Sequence, residues 1–253
     1  MSDIIFGIHP VSEALKRGER RFDYVSIAKD RNDPRVQRIV DDARAQGVSV
    51  RFVPREDIDR ATRTSNHQGV MAQTTSKKFT DIDDLLEHKH GEHSFLVVLD
   101  GVEDPHNLGA LLRSADGAGV DGVIIPERRA AGISGTVVKT SAGAAEHLNV
   151  ARVTNIARTL EELKEKNVWV VGLDERGDKS YDELDYNMNC AIVLGAEGKG
   201  LHDLVRRKCD MLVNIPMMGS VSSLNVSVAG GIVMYEVLRQ RKPAAMTQGK
   251  KKR

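Results

Sequence analysis

The residues best suited to chemistry lie in a short polar loop near the end of the chain. The apolar run MLVNIP is followed by Ser220, Ser222, Ser223 and Asn225, and a helical pattern then covers Leu224 to Gln240. Serine and asparagine at a helix start can accept hydrogen bonds from free backbone N–H groups. Capping needs one such residue or two, whereas this loop has four within six positions. The excess predicts a binding or catalytic site.

Two earlier apolar runs of β type also break into polar and glycine-rich stretches. FLVVLD is followed by Asn107 and Arg113, and CAIVLG runs into AEGKG, which contains Glu197. Ligands of open α/β sheets bind at the carboxyl ends of strands. The three polar strand ends therefore predict a ligand site at one edge of a sheet.

The spacing of these residues resembles the SpoU branch of the SPOUT superfamily, the S-adenosylmethionine-dependent RNA 2′-O-ribose methyltransferases. Three motifs carry the resemblance: N-x5-R at Asn107 and Arg113, G-x-E-x-x-G around Glu197, and S-x-N at Ser223 and Asn225. The amino-terminal part resembles the substrate-binding module of RlmB-type enzymes, which modify a guanosine in large-subunit ribosomal RNA. The resemblance implies that the target loop lies in the peptidyl-transferase region.

The resemblance also implies the catalytic residues, which are Arg113, Asn107, Glu197, Ser223 and Asn225. Transfer of a methyl group to a ribose hydroxyl requires alignment of that hydroxyl and removal of its proton. A guanidinium is a poor base because it stays protonated. We therefore expect Arg113 to hold a phosphate and to stabilise the developing alkoxide, while phosphate or water accepts the proton. Glu197 is expected to position Arg113 or Asn107.

The expected cofactor is S-adenosyl-L-methionine, bound largely by backbone groups without a metal. The positions that match the family's cofactor contacts are Gly195, Ile215, Leu224, Met217 and Ser222. The apolar side chains among them can also form a slot for adenine. Without the resemblance, Ile215, Met217 and Leu224 would be assigned to the core.

The leader, residues 1–75, reads as a small α/β domain of order αβαβαβ. Basic residues crowd its connections, and some are expected to contact RNA phosphates. These cations are Lys16, Arg17, Arg20, Arg21, Arg51, Arg55, Arg60 and Arg63. Its expected role is to bind substrate RNA, with no part in the chemistry.

A charged stretch, residues 76–93, is interpreted as a linker between the leader and a methyltransferase domain at 94–243. His88, His90 and His93 lie close together there, but no acidic or thiol partner at metal-ligand spacing accompanies them. Residues 244–253 form a basic tail, which can add non-specific affinity for RNA.

Strand and helix patterns alternate after residue 94, which predicts a mostly parallel sheet covered on both faces. Trp169 is expected in the core. The SpoU resemblance further implies a deep trefoil knot and a homodimer. The small residues Val226, Ala229, Gly230 and Val233 on the final helix are expected to pack against the partner subunit.

Composition adds limits of its own. The net charge of +1 means that RNA contact depends on local patches, and no apolar run approaches the ~20 residues of a membrane span. The start of the chain does not read as a secretory signal. Cys190 and Cys209 lack metal spacing and are expected to be buried thiols in a reducing cytoplasm. The alternatives that remain are a tRNA methyltransferase of the same family, a non-catalytic RNA-binding ribosome-assembly protein, and a nucleotide-binding α/β enzyme.

Overall fold

A computed structural model describes residues 2–128 and 130–241 of the chain. Residue contacts divide the chain into two compact units. The first unit comprises the residues up to 79 together with 103–116 and 131–148, and the second comprises 80–102, 117–130 and the residues from 149 onward.

The leader contains a four-stranded sheet of order β1-β4-β2-β3. Its strands are β1 (Ser2–Phe6), β2 (Phe22–Ala28), β3 (Ser49–Val53) and β4 (Val70–Thr75), and its helices are α1 (Ile8–Arg17), α2 (Pro34–Ala45) and α3 (Arg55–Thr62). Strand β4 pairs antiparallel with β1 and β2, while β2 and β3 are parallel. Strand β1 was not predicted, so the order is βαβαβαβ in place of the expected αβαβαβ. The five-residue run SDIIF lies between the chain start and a glycine and is too short for a clear periodic pattern.

The rest of the first unit is helical. It contains α6 (Gly135–Thr140), α7 (Ala144–His147) and most of α5 (Pro105–Ala118). Asp104 accepts a hydrogen bond from the His106 backbone N–H at 2.9 Å and so caps α5, in which Pro105 is the first helical residue. The run VVKTSAGAAE looks like one helix in the sequence but belongs to two short helices, α6 and α7. They are separated by Ala142 and Gly143, both at positive φ.

The second unit contains a seven-stranded sheet of order β7-β6-β5-β10-β8-β11-β9, in which every strand pair is parallel. Its strands are β5 (Phe95–Asp100), β6 (Gly122–Pro126), β7 (Asn149–Val153), β8 (Trp169–Leu173), β9 (Lys179–Ser180), β10 (Cys190–Gly195) and β11 (Met211–Asn214). Its helices are α4 (Ile82–Glu87), α8 (Ile156–Glu165), α9 (Asp203–Lys208) and α10 (Val226–Arg241). The parallel sheet that the apolar runs predicted is confirmed. The knot stays a prediction.

Apolar side chains between the second sheet and its helices form a continuous core. Members include Leu96, Val98, Leu160, Leu163 and Val193. Because β5 and β10 are buried along their whole length, they read as uninterrupted apolar runs in the sequence. The prediction that Trp169 lies in the core is wrong. Trp169 is the first residue of β8, and 49% of it is exposed.

The predicted linker contains one short helix, α4, whose Leu85 is buried in the core of the second unit. The predicted domain boundaries stay a prediction. The predicted basic tail lies outside the described residues. Among the residues that the structure describes, no helix is long and apolar enough to cross a membrane.

Candidate active site

A cavity of about 610 Å³ opens at the carboxyl edge of the second sheet. Strands β10, β8 and β11 are neighbours in that sheet, and the segments that follow each of them line the cavity. The first turn of α10 closes another side through Val226 and Ala229. The volume lies within the roughly 300–1,000 Å³ that is typical of small-molecule sites. All five predicted cofactor positions line the cavity: Gly195, Ile215, Met217, Ser222 and Leu224.

The segment after β10 is a tight closed loop. Ala196 and Gly200 exchange two backbone hydrogen bonds of 3.0 and 2.9 Å, and Glu197 lies in the exposed loop between them. A Cβ atom on Gly195 would lie 2.1 Å from the backbone carbon of Gly200. Only glycine therefore permits this approach, which keeps backbone groups at the wall of the cavity.

Asn225 combines a structural contact with a contact to this loop. Its side-chain oxygen accepts hydrogen bonds from the Ser227 backbone N–H at 2.9 Å and from the Ser227 hydroxyl at 2.6 Å. Its side-chain amide donates to Glu197 Oε1 at 3.3 Å. Asn225 therefore caps α10 through its side-chain oxygen. Its side-chain nitrogen connects two of the predicted catalytic residues, Asn225 itself and Glu197, which lie 28 positions apart.

Ser222 and Ser223 are exposed on the cavity wall beside Leu224. Glu197, Ser223 and Asn225, which come from two of the three motifs, therefore lie at the same cavity. Met217 and Leu224 are 36% and 37% exposed, so two residues that resemble core positions present apolar surface to solvent. Exposed apolar groups beside backbone polar groups suit the adenosine part of a nucleoside ligand.

Asn107 and Arg113 belong to the first unit and lie on α5. Asn107 is in the first helical turn and is buried, whereas Arg113 is exposed. The helical turn that contains Asn107 is held by a hydrogen bond from α6, in which the Thr140 hydroxyl donates to the Pro105 carbonyl oxygen at 3.2 Å. Their placement relative to Glu197 stays a prediction.

The sequence analysis missed two acidic residues at strand ends. Asp174 follows β8, lines the cavity and accepts a hydrogen bond from the Arg176 backbone N–H at 3.0 Å. Asp100 ends β5 and is 5% exposed; its carboxylate contacts His202 Nδ1 at 3.0 Å and accepts from the His202 backbone N–H at 2.8 Å. This contact ties the end of the loop after β10 to the neighbouring strand. Both residues could have been identified from the sequence, because the apolar runs in VWVVGLD and FLVVLD each end in an aspartate.

Metal ligands are not grouped in the described part of the chain: no cluster of three or more histidine, cysteine, aspartate or glutamate residues is placed to hold an ion there. His90, one of the three histidines in the charged stretch, contacts Asp121 Oδ1 through Nδ1 at 2.8 Å. Asp121 also accepts from the backbone N–H groups of His90 and Phe95. This histidine joins the stretch to the sheet.

Comparison with known families and proteins gives consistent matches along the chain. Residues 94–235 match the SpoU rRNA Methylase family, and residues 4–80 match the RNA 2′-O ribose methyltransferase substrate binding family. A Bacillus subtilis protein named putative TrmH family tRNA/rRNA methyltransferase YacO is 45% identical over 95% of this chain and 97% of its own length. The Escherichia coli 23S rRNA (guanosine-2′-O-)-methyltransferase RlmB is 44% identical over 95% of this chain and 100% of its own length.

Solved structures show the same architecture. The SpoU methyltransferase AviRb from Streptomyces viridochromogenes, in complex with AdoMet, has a TM-score of 0.80 at 25% identity and covers 95% of this chain and 90% of its own. An AdoMet-bound rRNA methyltransferase from Sinorhizobium meliloti has a TM-score of 0.80 at 27% identity, with 96% and 88% covered. A TrmH/SpoU tRNA modifying enzyme from A. aeolicus covers only 62% of this chain and 79% of its own, with a TM-score of 0.55 at 30% identity.

Proposed function

Because this chain belongs to the SpoU rRNA methylase family, we propose that it methylates the ribose 2′-hydroxyl of a guanosine in 23S ribosomal RNA. The observation that carries the proposal is the match, along 95% of the chain and all of the relative, to a protein named for that activity. The further assignment to the peptidyl-transferase region is part of the same proposal and follows from the resemblance alone. The proposed cytoplasmic location follows from the two free thiols, Cys190 and Cys209.

S-adenosyl-L-methionine is the proposed methyl donor, and its sulfonium supplies an already activated methyl group. The fit to the chain is good at the cavity of the second unit. Gly195 leaves backbone groups at the wall, and Ile215, Met217 and Leu224 offer apolar surface of the kind that adenine requires. Ser222 adds a hydroxyl. Asp174 is a further acceptor at the same wall.

The proposed catalytic residues act on the RNA side. Arg113 is exposed and carries a permanent positive charge, so it can hold a phosphate next to the target ribose and stabilise charge on the attacking oxygen. The hydroxyl proton goes to phosphate or water. Asn107 orients the hydroxyl or Arg113, and Glu197, which accepts a hydrogen bond from Asn225, positions Arg113 or Asn107. Ser223 contacts the substrate. No metal takes part.

A tRNA methyltransferase of the same family is the second candidate. One relative carries tRNA/rRNA in its name. The leader argues for ribosomal RNA, because the tRNA modifying structure covers only 62% of this chain, whereas the rRNA methyltransferase structure covers 96%. A non-catalytic assembly protein is disfavoured because Asn107, Arg113, Glu197, Ser223 and Asn225 are all present.

The protein is also proposed to be a homodimer through α10. Of the residues expected at the interface, Gly230 and Val233 are buried within their own subunit, and Val226 and Ala229 line the cavity. The apolar residues that α10 exposes are Val228 and Tyr235, each 51% exposed and seven positions apart, hence on one helix face. Val228→Asp should convert the dimer into a monomer in sedimentation runs at micromolar concentration. A wild type that is monomeric and active there would remove the proposal.

The experiment that tests the function uses ribosomal RNA from a strain that lacks the protein. The purified full chain, labelled S-adenosylmethionine and EDTA are incubated with this RNA or with tRNA, and 2′-O-methyl groups are mapped. The proposal requires one new 2′-O-methylguanosine in this 23S rRNA. Its position must be one that is methylated in 23S rRNA from wild-type cells. Modification of tRNA alone would favour the second candidate, and no transfer to either RNA would favour the assembly protein.

A further inference from the structure

A buried ion pair joins the leader to the segment 131–148, here called the bridge, within the first unit. Arg20 donates from Nε and Nη2 to the two carboxylate oxygens of Glu146, both at 2.8 Å. Each side chain is only 2% exposed. Arg20 is one of the eight leader cations of which some were expected to contact RNA phosphates, and its burial excludes it from that role.

Further contacts of Arg20 and Glu146 hold the ion pair in one geometry. Arg20 Nη1 donates to the Thr75 carbonyl oxygen at 3.0 Å and lies 3.4 Å from Asp3 Oδ2. Lys77, itself 9% exposed, donates to the backbone carbonyl oxygen of Glu146 at 3.2 Å, and burial lowers the pKa of this lysine. A two-pronged guanidinium–carboxylate contact fixes direction as well as distance, whereas apolar surfaces can slide.

Stability alone is a weak reason for such a pair. Removing two charges from water offsets most of their attraction, and well-packed apolar residues of similar volume are often equally stable. Fixing the orientation of two segments is a purpose that the ion pair serves better.

Other contacts join the same two segments. His147 Nε2 contacts Glu13 Oε2 at 2.8 Å, and Lys139 donates to the backbone carbonyl oxygen of Asn66. Gly135 lies against the leader so closely that a Cβ atom there would be 2.2 Å from the carbonyl oxygen of Ile4. The leader and the bridge therefore form one packed body.

The bridge in turn contacts the start of α5. The Thr140 hydroxyl donates to the Pro105 carbonyl oxygen, and a Cβ atom on Gly109 would lie 1.8 Å from Thr140 Oγ1. A continuous series of tight contacts thus runs from the leader, through the bridge, to the helical turn that holds Asn107.

We propose that Arg20 and Glu146 are positioning residues for methyl transfer: they fix the leader, and the RNA bound to it, in one orientation relative to Asn107 and Arg113. The inference rests on the proposed function. It differs from a leader that only tethers RNA, because a tether raises the concentration of RNA near the site but does not select the ribose that reacts.

The test uses the full chain with Arg20→Met and Glu146→Leu combined, so that no charge is left buried alone. Single-turnover methylation is measured at saturating S-adenosylmethionine over a range of concentrations of 23S rRNA from the strain lacking the protein. We expect the maximal rate to fall at least tenfold, with less than a threefold change in the RNA concentration for half-maximal rate. Affinity for S-adenosylmethionine should be unchanged. Methyl mapping should show modification at neighbouring nucleotides as well as at the wild-type position.

The matched control is Arg158→Met with Glu162→Leu, which removes an exposed ion pair on α8 and should leave rate and position unchanged. Arg20→Lys keeps the charge but loses the fork, so it should give an intermediate rate. If the double variant does not fold, the rate and the methylated position of Arg20→Lys alone test the proposal.

Methylation at the single wild-type position, at a rate within twofold of normal, would overturn the proposal. So would a change in RNA affinity alone, which would make the leader a tether. Failure of the proposed function is distinguishable, because the wild-type chain would then transfer no methyl group at all.

Discussion

The polar residues of the cavity and the ion pair of Arg20 and Glu146 differ in exposure, and this difference suits them to two different roles. Glu197, Ser223 and Asn225 are exposed at the cavity. Arg20 and Glu146 are buried, and their side chains already hold each other. An exposed polar group exchanges water for a ligand at little cost, whereas a buried one cannot leave its partner without a large desolvation penalty. Cavity residues are therefore suited to binding and chemistry, and the buried pair of Arg20 and Glu146 is suited to positioning.

Replacing Arg113, which is exposed on α5, should give the largest effect among the proposed catalytic residues. If it stabilises charge on the attacking oxygen, Arg113→Ala should lower the single-turnover rate about 100- to 1000-fold, as is typical for loss of one such group. Arg113→Lys should recover little, because a point charge cannot replace a planar fork. Affinity for S-adenosylmethionine should stay unchanged, since the proposed cofactor contacts lie elsewhere. Arg158→Ala, another exposed helical arginine, is the control.

Near-normal turnover by Arg113→Ala would remove the assignment and leave Glu197 as the leading candidate. A parallel loss of cofactor affinity would mean that Arg113 supports the fold, so that exposure would not mark this residue as catalytic.

A smaller effect is expected from Asn225, because this residue both caps α10 and contacts Glu197. Asn225→Asp keeps the acceptor for Ser227 but turns the donor toward Glu197 into a second carboxylate oxygen. Turnover should fall about tenfold, the equivalent of one hydrogen bond to a charged group, with little change in the melting temperature. Asn225→Ala should lose turnover and also about 1 kcal/mol of stability through the lost cap.

Thermal unfolding and single-turnover rates of the two variants separate these roles. Equal rates for Asn225→Asp and wild type would show that the contact with Glu197 has no part in catalysis.

The smallest effect concerns the two thiols. Burial raises the pKa of Cys190 to about 11 and that of Cys209 to about 12. Because the thiolate is the reactive form, iodoacetamide at pH 8 should label the native protein much more slowly than the denatured protein, with no loss of methylation. Rapid labelling of Cys190 in the native protein, measured by mass spectrometry, would show that the second sheet opens.

Some of this organisation can be predicted from the sequence because it is local. Strands β5 and β10 are buried throughout, so their apolar runs are continuous and the polar residues that follow mark the strand ends. The burial of Trp169 was predicted wrongly because an aromatic residue at the start of an apolar run resembles a core residue. The first position of β8 is exposed, although the next three are buried.

The buried ion pair could not be predicted in this way. Arg20 and Glu146 lie 126 positions apart, and each looks like an ordinary surface charge in its own segment. Nothing in local pattern or composition tells a solvated arginine from a buried one; only the tertiary fold does. Asn225 is the intermediate case, since its cap is readable from sequence but its contact with Glu197 is not.

The most direct test of the account is a calorimetric titration of S-adenosylmethionine into the full chain in EDTA, compared with ATP and with the variant Gly195→Ala. The account predicts one cofactor site per chain, no comparable binding of ATP, and at least tenfold weaker binding in the variant, because a Cβ atom on Gly195 would collide with the backbone of Gly200. A folded wild type that binds no S-adenosylmethionine, or that binds ATP equally well, would contradict it.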